Sequence, residues 1–110
     1  MKGHRPVTEF DARVYAATKR IQRGKVTTYK QLARAVGCGT SQAVGQALSR
    51  NPFAPVVPCH RVIASDLTIG GFNGATSGAS IRRKKAMLQK EGVRFEGNRL
   101  ADEKQLFAFR

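Results

Sequence analysis

The sequence predicts a single mainly α domain with a small β-hairpin, and three observations carry that class. Four segments set apolar residues at helical spacing behind a capping residue, and a proline-rich stretch after Asn51 breaks that pattern. A chain of 110 residues at 41% hydrophobic content buries one modest core, which argues against both a disordered basic tail and two full domains.

The first helix is expected from Thr8 to Gln22. Phe10, Val14, Ala17 and Ile21 recur on one face, Thr8 is the N-cap, Asp11 stands three residues on, and Gly24 lies just past the end. A short second helix follows in VTTYKQLARAVG: Thr28 and Gln31 stand in capping-box register, Leu32, Ala35 and Val36 form an apolar stripe, and Gly37 closes the segment. After Gly37-Cys38-Gly39, Thr40 or Ser41 caps SQAVGQALSRN, whose Val44, Ala47 and Leu48 face inward before Asn51-Pro52 stops it. Two short helices joined by a tight glycine turn make a helix-turn-helix candidate. Three prolines forbid helix through Pro58 in NPFAPVVPCHRVIA and favour an extended, corner-making segment; VIASDLTIGGF then reads as a hairpin turning near Ser65-Asp66. GGFNGATSGAS is a glycine-rich loop. Ser80 is assigned as the cap of a fourth helix, IRRKKAMLQKE, with Ile81, Met87 and Leu88 apolar, the run Arg82-Arg83-Lys84-Lys85, and Gly92 after its end. VRFEGNRL and QLFAFR read as short extended strands or a frayed tail.

The charge bears on partners. Twenty Lys or Arg against seven Asp or Glu give +13, and such an excess favours a polyanion because each neutralised phosphate releases condensed counterions. The basic residues are spread along the chain, so a solvated basic surface is the plain alternative. No apolar run approaches the ~18–20 residues of a membrane span, and Met1 to Phe10 has no apolar stretch of signal-peptide type, so an intracellular protein is expected. Cys38 and Cys59 with His4 and His60 form neither a disulfide framework nor a zinc spacing, and no metal is expected to hold the fold.

Cys59-His60-Arg61 is the most unusual tripeptide, because it sets a thiol, an imidazole and a guanidinium together in an apolar, proline-stiffened stretch. The thiolate is the reactive form, and a neighbouring cation or histidine base makes it easier to reach. In a plain strand adjacent side chains point to opposite faces, so His60 would need a turn or a bridging water to reach the sulfur. A core cysteine beside a surface His-Arg pair is the inert alternative. Other thiol chemistry fits poorly: the only distant histidine is His4, and no CxxC pair supplies a resolving cysteine. Walker and Rossmann fingerprints are absent, and GGFNG is too weak a glycine run to cradle a nucleotide.

The stretch NPFAPVVPCHRVI, centred on PCHRV, closely resembles the active-site signature of the 6-O-alkylguanine-DNA alkyltransferases, or methylated-DNA-protein-cysteine methyltransferases. GKVTTYKQLARAVG and AVGQAL are similar to that family's helix-turn-helix, and GGF with RRKKAMLQKEG to its closing loop and last helix. The resemblance runs in order and spacing over roughly residues 9 to 95 and covers the family's C-terminal domain only, with no counterpart of the ribonuclease-H-like N-terminal domain of many members. It implies a monomeric winged helix-turn-helix DNA-binding domain that repairs alkylated guanine in double-stranded DNA without a cofactor. Cys59 would accept the alkyl group irreversibly, His60 would draw the thiol proton through a water, and Glu91 would orient and polarise His60. Asn51 would brace the helix-turn-helix against the active-site corner, and Tyr29 would donate to the guanine ring and help rotate the nucleotide out of the stack. The Cys59 and Val62 carbonyls would read the base, Phe72 and Asn73 would line the pocket, and Lys84 falls where the family has a lysine near the site. Contacts to DNA are implied at Tyr29, Lys30, Gln42, Ala43, Gly45, Arg50, Arg61 and Ser65. Glu91 as a solvated charge, Tyr29 as an amphipathic core edge and Arg82 to Lys85 as a solvated face are the alternatives.

Two departures stand out. A tyrosine is common in the family where Phe72 stands. Members also place an arginine near the start of the recognition helix to fill the gap left by the extruded nucleotide; the aligned residue is Gln42, and no arginine lies between Arg34 and Arg50. Glutamine hydrogen-bonds an orphaned base but lacks charge and a stacking guanidinium. Two competing readings stay open. One is an alkyltransferase-like protein that binds alkylguanine without repairing it, against which Cys59 argues. The other is a basic winged-helix regulator, which leaves Pro58 to Val62 and Glu91 unaccounted for.

Overall fold

The computed structural model describes residues 7–70 and 78–109. Among the described residues, four α-helices and two small two-stranded sheets form the framework. Helix α1 spans Glu9–Thr18, with the Thr8 hydroxyl accepting from the Asp11 amide at 3.0 Å as the cap. It ends four residues earlier than its apolar spacing predicts. Arg20 and Ile21 donate to Ala17 and Thr18, three residues back, so the chain tightens into a turn while Ile21 stays buried. Strand β1 (Thr27–Thr28) leads into α2 (Tyr29–Ala35), capped by Thr28 through the Gln31 amide. Gly37 turns the chain at φ +72°, where a side chain would be strained, and α3 (Ser41–Ser49) follows under its Thr40 cap.

The three helices share one core of Val14, Tyr15, Ile21, Leu32, Val44, Ala47 and Leu48, which Val57 and Val62 extend. Two polar ties fix α1 on α3: the Tyr15 hydroxyl donates to Ala47 O at 2.7 Å, and Arg50 pairs with buried Asp11 at 2.7 Å. Strand β2 (Val62–Ile63) runs parallel to β1, with Thr27 opposite Val62 and Thr28 opposite Ile63. Because successive strand residues face opposite ways, Val62 enters the helical core while Ile63 joins a second cluster of Val26, Leu88, Val93 and Leu100 beneath α4 (Ala79–Lys90).

The β-hairpin lies elsewhere than expected. Val62–Ile63 pairs with β1, and the chain beyond it closes a turn in which the Ala64 amide donates to Thr68 O. The antiparallel hairpin is instead β3 (Phe95–Glu96) with β4 (Arg99–Leu100), turning at Gly97 with φ +61°. The C-terminal segment is pinned: the Val26 amide donates to Gln105 O and the Phe107 amide to Val26 O. Ser80 is not the cap of α4. Gly78 holds that position at φ +83°, which a serine side chain would strain, and no side-chain cap bond forms.

Candidate active site

The prolines do their work just before the site. Asn51 follows α3, its side-chain amide donates to Val57 O at 3.0 Å, and its side-chain oxygen accepts from the Phe53 amide at 2.9 Å. This clamps the Asn51–Val57 loop against the end of α3. After Pro58 the chain winds into a single 3₁₀ turn, Cys59–Arg61, rather than the extended stretch expected, and re-extends at Val62. The turn changes the geometry of the tripeptide: His60 and Arg61, which a strand would send to opposite faces, both reach Glu91.

Glu91 is the C-cap residue of α4 and is nearly buried, with 9% of its side chain exposed, so it is not a solvated charge. His60 Nε2 lies 2.9 Å from Oε2, while Arg61 grips both oxygens, from Nε at 2.9 Å and Nη2 at 3.0 Å, and anchors itself by donating from Nη1 to Ile21 O at 2.8 Å. Burial alone would raise the Glu91 pKa, but the hydrogen bonds from Arg61 and His60 outweigh it and hold the carboxyl below its ordinary value. Burial pushes the His60 pKa down, against the pull of Glu91, with the charges of Arg61 and Lys84 acting in the same direction as burial. The network therefore assigns a neutral imidazole with Nε2–H donating to an ionised carboxylate, which leaves Nδ1 as the acceptor. An imidazole held in this way, next to Cys59 in the chain, has a ring nitrogen left over to act as a general base.

Cys59, half-buried, packs on the helical core, and its charged form lies close enough to Tyr15, Tyr29 and Lys84 to influence their titration. Lys84 departs from the solvated run Arg82 to Lys85: it is fully buried, donates to Val62 O at 2.7 Å, and sets its ammonium 5.8 Å from the centre of the Tyr29 ring. Burial pushes its pKa down to about 7. The Tyr29 hydroxyl is pushed up to about 12, first by burial and then by the Cys59 charge, so it keeps its proton as a donor. Tyr29, Lys84 and Val62 are thus brought together beside Cys59. Gly70 completes the floor under Tyr29: at φ +73° a Cβ there would meet the Ala64 amide nitrogen at 3.1 Å and the Tyr29 ring at 3.4 Å. The sequence places that glycine at the head of the GGF run, but its contact with the Tyr29 ring is visible only in the fold.

The residues expected at DNA divide into two groups. Lys30 on α2, Gln42 on α3 and Ser65 in the 64–68 turn are exposed, and Ala43 and Gly45 lie half-exposed on α3 beside Gln42. Arg50 and Arg61 each have an internal partner, Asp11 and Glu91. Phe72 and Asn73 lie outside the described residues.

Residues 9–93 match the family described as 6-O-methylguanine DNA methyltransferase, DNA binding domain. The chain is 43% identical over 90 residues to the methylated-DNA–protein-cysteine methyltransferase of Methanothermobacter thermautotrophicus, a match covering 82% of this chain and 48% of that protein. Among solved structures, Mycobacterium tuberculosis OGT in complex with DNA superposes with a TM-score of 0.68 at 39% identity, over 76% of this chain and 50% of that one. Atl1 of S. pombe, in complex with damaged DNA containing O6-carboxymethylguanine, gives 0.77 at 34% identity, over 90% and 94%. The chain spans about half the length of the curated relatives it matches.

Proposed function

Since the chain belongs to the 6-O-methylguanine DNA methyltransferase family, we propose that it reverses guanine alkylation in double-stranded DNA by moving the alkyl group from the exocyclic oxygen to Cys59. The observation that supports this best is the relay on one 3₁₀ turn: Cys59, then His60 at 2.9 Å from Glu91. His60 Nδ1 takes the thiol proton through a water, the sulfur attacks the alkyl carbon, and the C–O bond breaks with its electron pair left on the guanine oxygen. The proton ends on the restored guanine, and the new thioether consumes the protein. Tyr29 donates its retained proton toward the base, the Cys59 and Val62 carbonyls read it, Lys84 holds the Val62 carbonyl and the Tyr29 ring, and Asn51 braces the corner.

Lys30, Gln42, Ala43, Gly45 and Ser65 form the DNA face, with Tyr29 at its inner edge. Arg50 and Arg61 act there chiefly through their partners, fixing α3 and Glu91. Base extrusion costs a few kcal/mol and is cheapest at a damaged pair, which contributes selectivity. Gln42→Arg raises lesion binding and transfer rate; equal or lower values would remove Gln42 as a handicap.

The test is incubation with a duplex bearing methylated guanine, followed by peptide mass analysis. One added methyl on the Cys59 peptide, absent in Cys59→Ala, is the expected result. The likeness to nearly the whole of Atl1 favours a second reading, in which the lesion is bound and not repaired. Tight lesion binding with no mass change would select it.

A further inference from the structure

The outward face of α4 has no part in the site, and its charge is placed against the helix's own stability. The first two turns of Ala79–Lys90 carry Arg82, Arg83, Lys84 and Lys85 and no acidic residue, although the N-terminal end of a helix favours negative charge. Lys84 is explained by its contacts with Val62 and Tyr29. The others are not. At about 100° per residue, Arg82 and Lys90 stand on the far side of the helix from Lys84, with Arg83 beside them. All three are exposed, and Arg23, also exposed, donates to Lys90 O at 3.3 Å and extends the row past the helix end. None of the four is in an ion pair among the described residues. This row is separate from α3, which packs on α1 and α2, whereas α4 packs on the Cys59–Arg61 turn.

We propose that Arg82, Arg83, Lys90 and Arg23 form a second phosphate-backbone contact that holds a duplex segment other than the one on α3, so that one molecule bridges two stretches of DNA. Exposed cations with no ion pair among the described residues, spread over about 100° of one side of α4 and continued by Arg23 past its end, match the repeated charge of a duplex backbone, and they need no groove contact. The inference rests on the DNA-binding reading of α3 above.

The experiment loads the protein onto an immobilised short duplex bearing methylated guanine, then adds a labelled unmodified duplex. The wild type should retain the second duplex in a salt-sensitive way. Arg82→Gln/Arg83→Gln/Lys90→Gln, exposed changes to a residue of good helix propensity, should retain about tenfold less and keep first-duplex binding and methyl transfer within about twofold. Equal retention by the variant, no second-duplex retention by a wild type that binds the first normally, or capture of labelled polyglutamate in place of duplex would each overturn the inference. Absence of methyl transfer with both duplexes retained would instead strike the repair reading and leave the bridge standing. Failure to hold the first duplex would remove both.

Discussion

Lys84 is fully buried and Arg61 half-buried, and each sets a pH dependence. The Lys84 pKa falls from its ordinary 10.5 to about 7 in the folded protein. Between those values the folded form has lost a proton that the unfolded form keeps, so unfolding takes up a proton and native stability rises with pH from about 7 to 10.5. The slope is at most about 1.4 kcal/mol per pH unit. Lys84→Met should flatten that rise, as read by urea unfolding at about pH 7 and about pH 9; an undiminished rise would locate the proton elsewhere. Arg61→Gln removes a charge that helps keep His60 neutral and frees Glu91 to turn. Transfer should slow on the order of tenfold, about 1.4 kcal/mol, and the acidic limb of its pH profile should move to higher pH. An unmoved limb would reduce Arg61 to a structural prop. The sequence makes Cys59, His60 and Glu91 visible as chemistry. It hides the Arg61 pairing, because only the 3₁₀ turn brings neighbours 60 and 61 to one carboxylate. Lys84 was partly legible: Ile81, Lys84 and Leu88 form one helical stripe, and all three are buried.

Caps and turns decide where the elements stand. Thr8, Thr28 and Thr40 are readable as caps because a threonine hydroxyl three residues before an orphan amide is a local interaction. Thr40→Ala should cost about 1 kcal/mol, measured by chemical denaturation, and weaken DNA binding through fraying of α3. The parallel pairing of β1 with β2 is not local: it joins Thr27 to Val62, so a stretch that reads as a hairpin on its own pairs with a distant strand instead. The αL position at Gly78 likewise overrides Ser80 as a cap. Gly45 separates stability from function. A Cβ there would lie 3.9 Å from the Tyr29 ring, an ordinary contact, so Gly45→Ala should stabilise α3 by up to about 1 kcal/mol. The same methyl would project from the proposed DNA face and lower affinity. Gly70→Ala has no such latitude. Its positive φ and the 3.1 Å approach to Ala64 N should cost about 1 kcal/mol or more and displace Tyr29.

At the scale of the whole molecule, +13 is distributed with a division of labour. Arg50 and Arg61 are paired internally, with Asp11 and Glu91, while Lys30 and the outer face of α4 stay exposed, the surfaces proposed to meet phosphate. Affinity for undamaged DNA should therefore fall steeply with salt, and a nearly flat dependence would contradict the polyanion reading. Composition announces that charge but cannot assign it, since pairing depends on contacts across the fold. In the proposed reaction Cys59 is consumed. Titrating a fixed amount of protein with excess methylated duplex and counting restored guanine tests it most directly. Restoration should plateau at one guanine per chain, with no further repair on longer incubation and none by Cys59→Ala; continued turnover beyond one equivalent, or repair by the alanine variant, would mean that Cys59 is not the consumed acceptor.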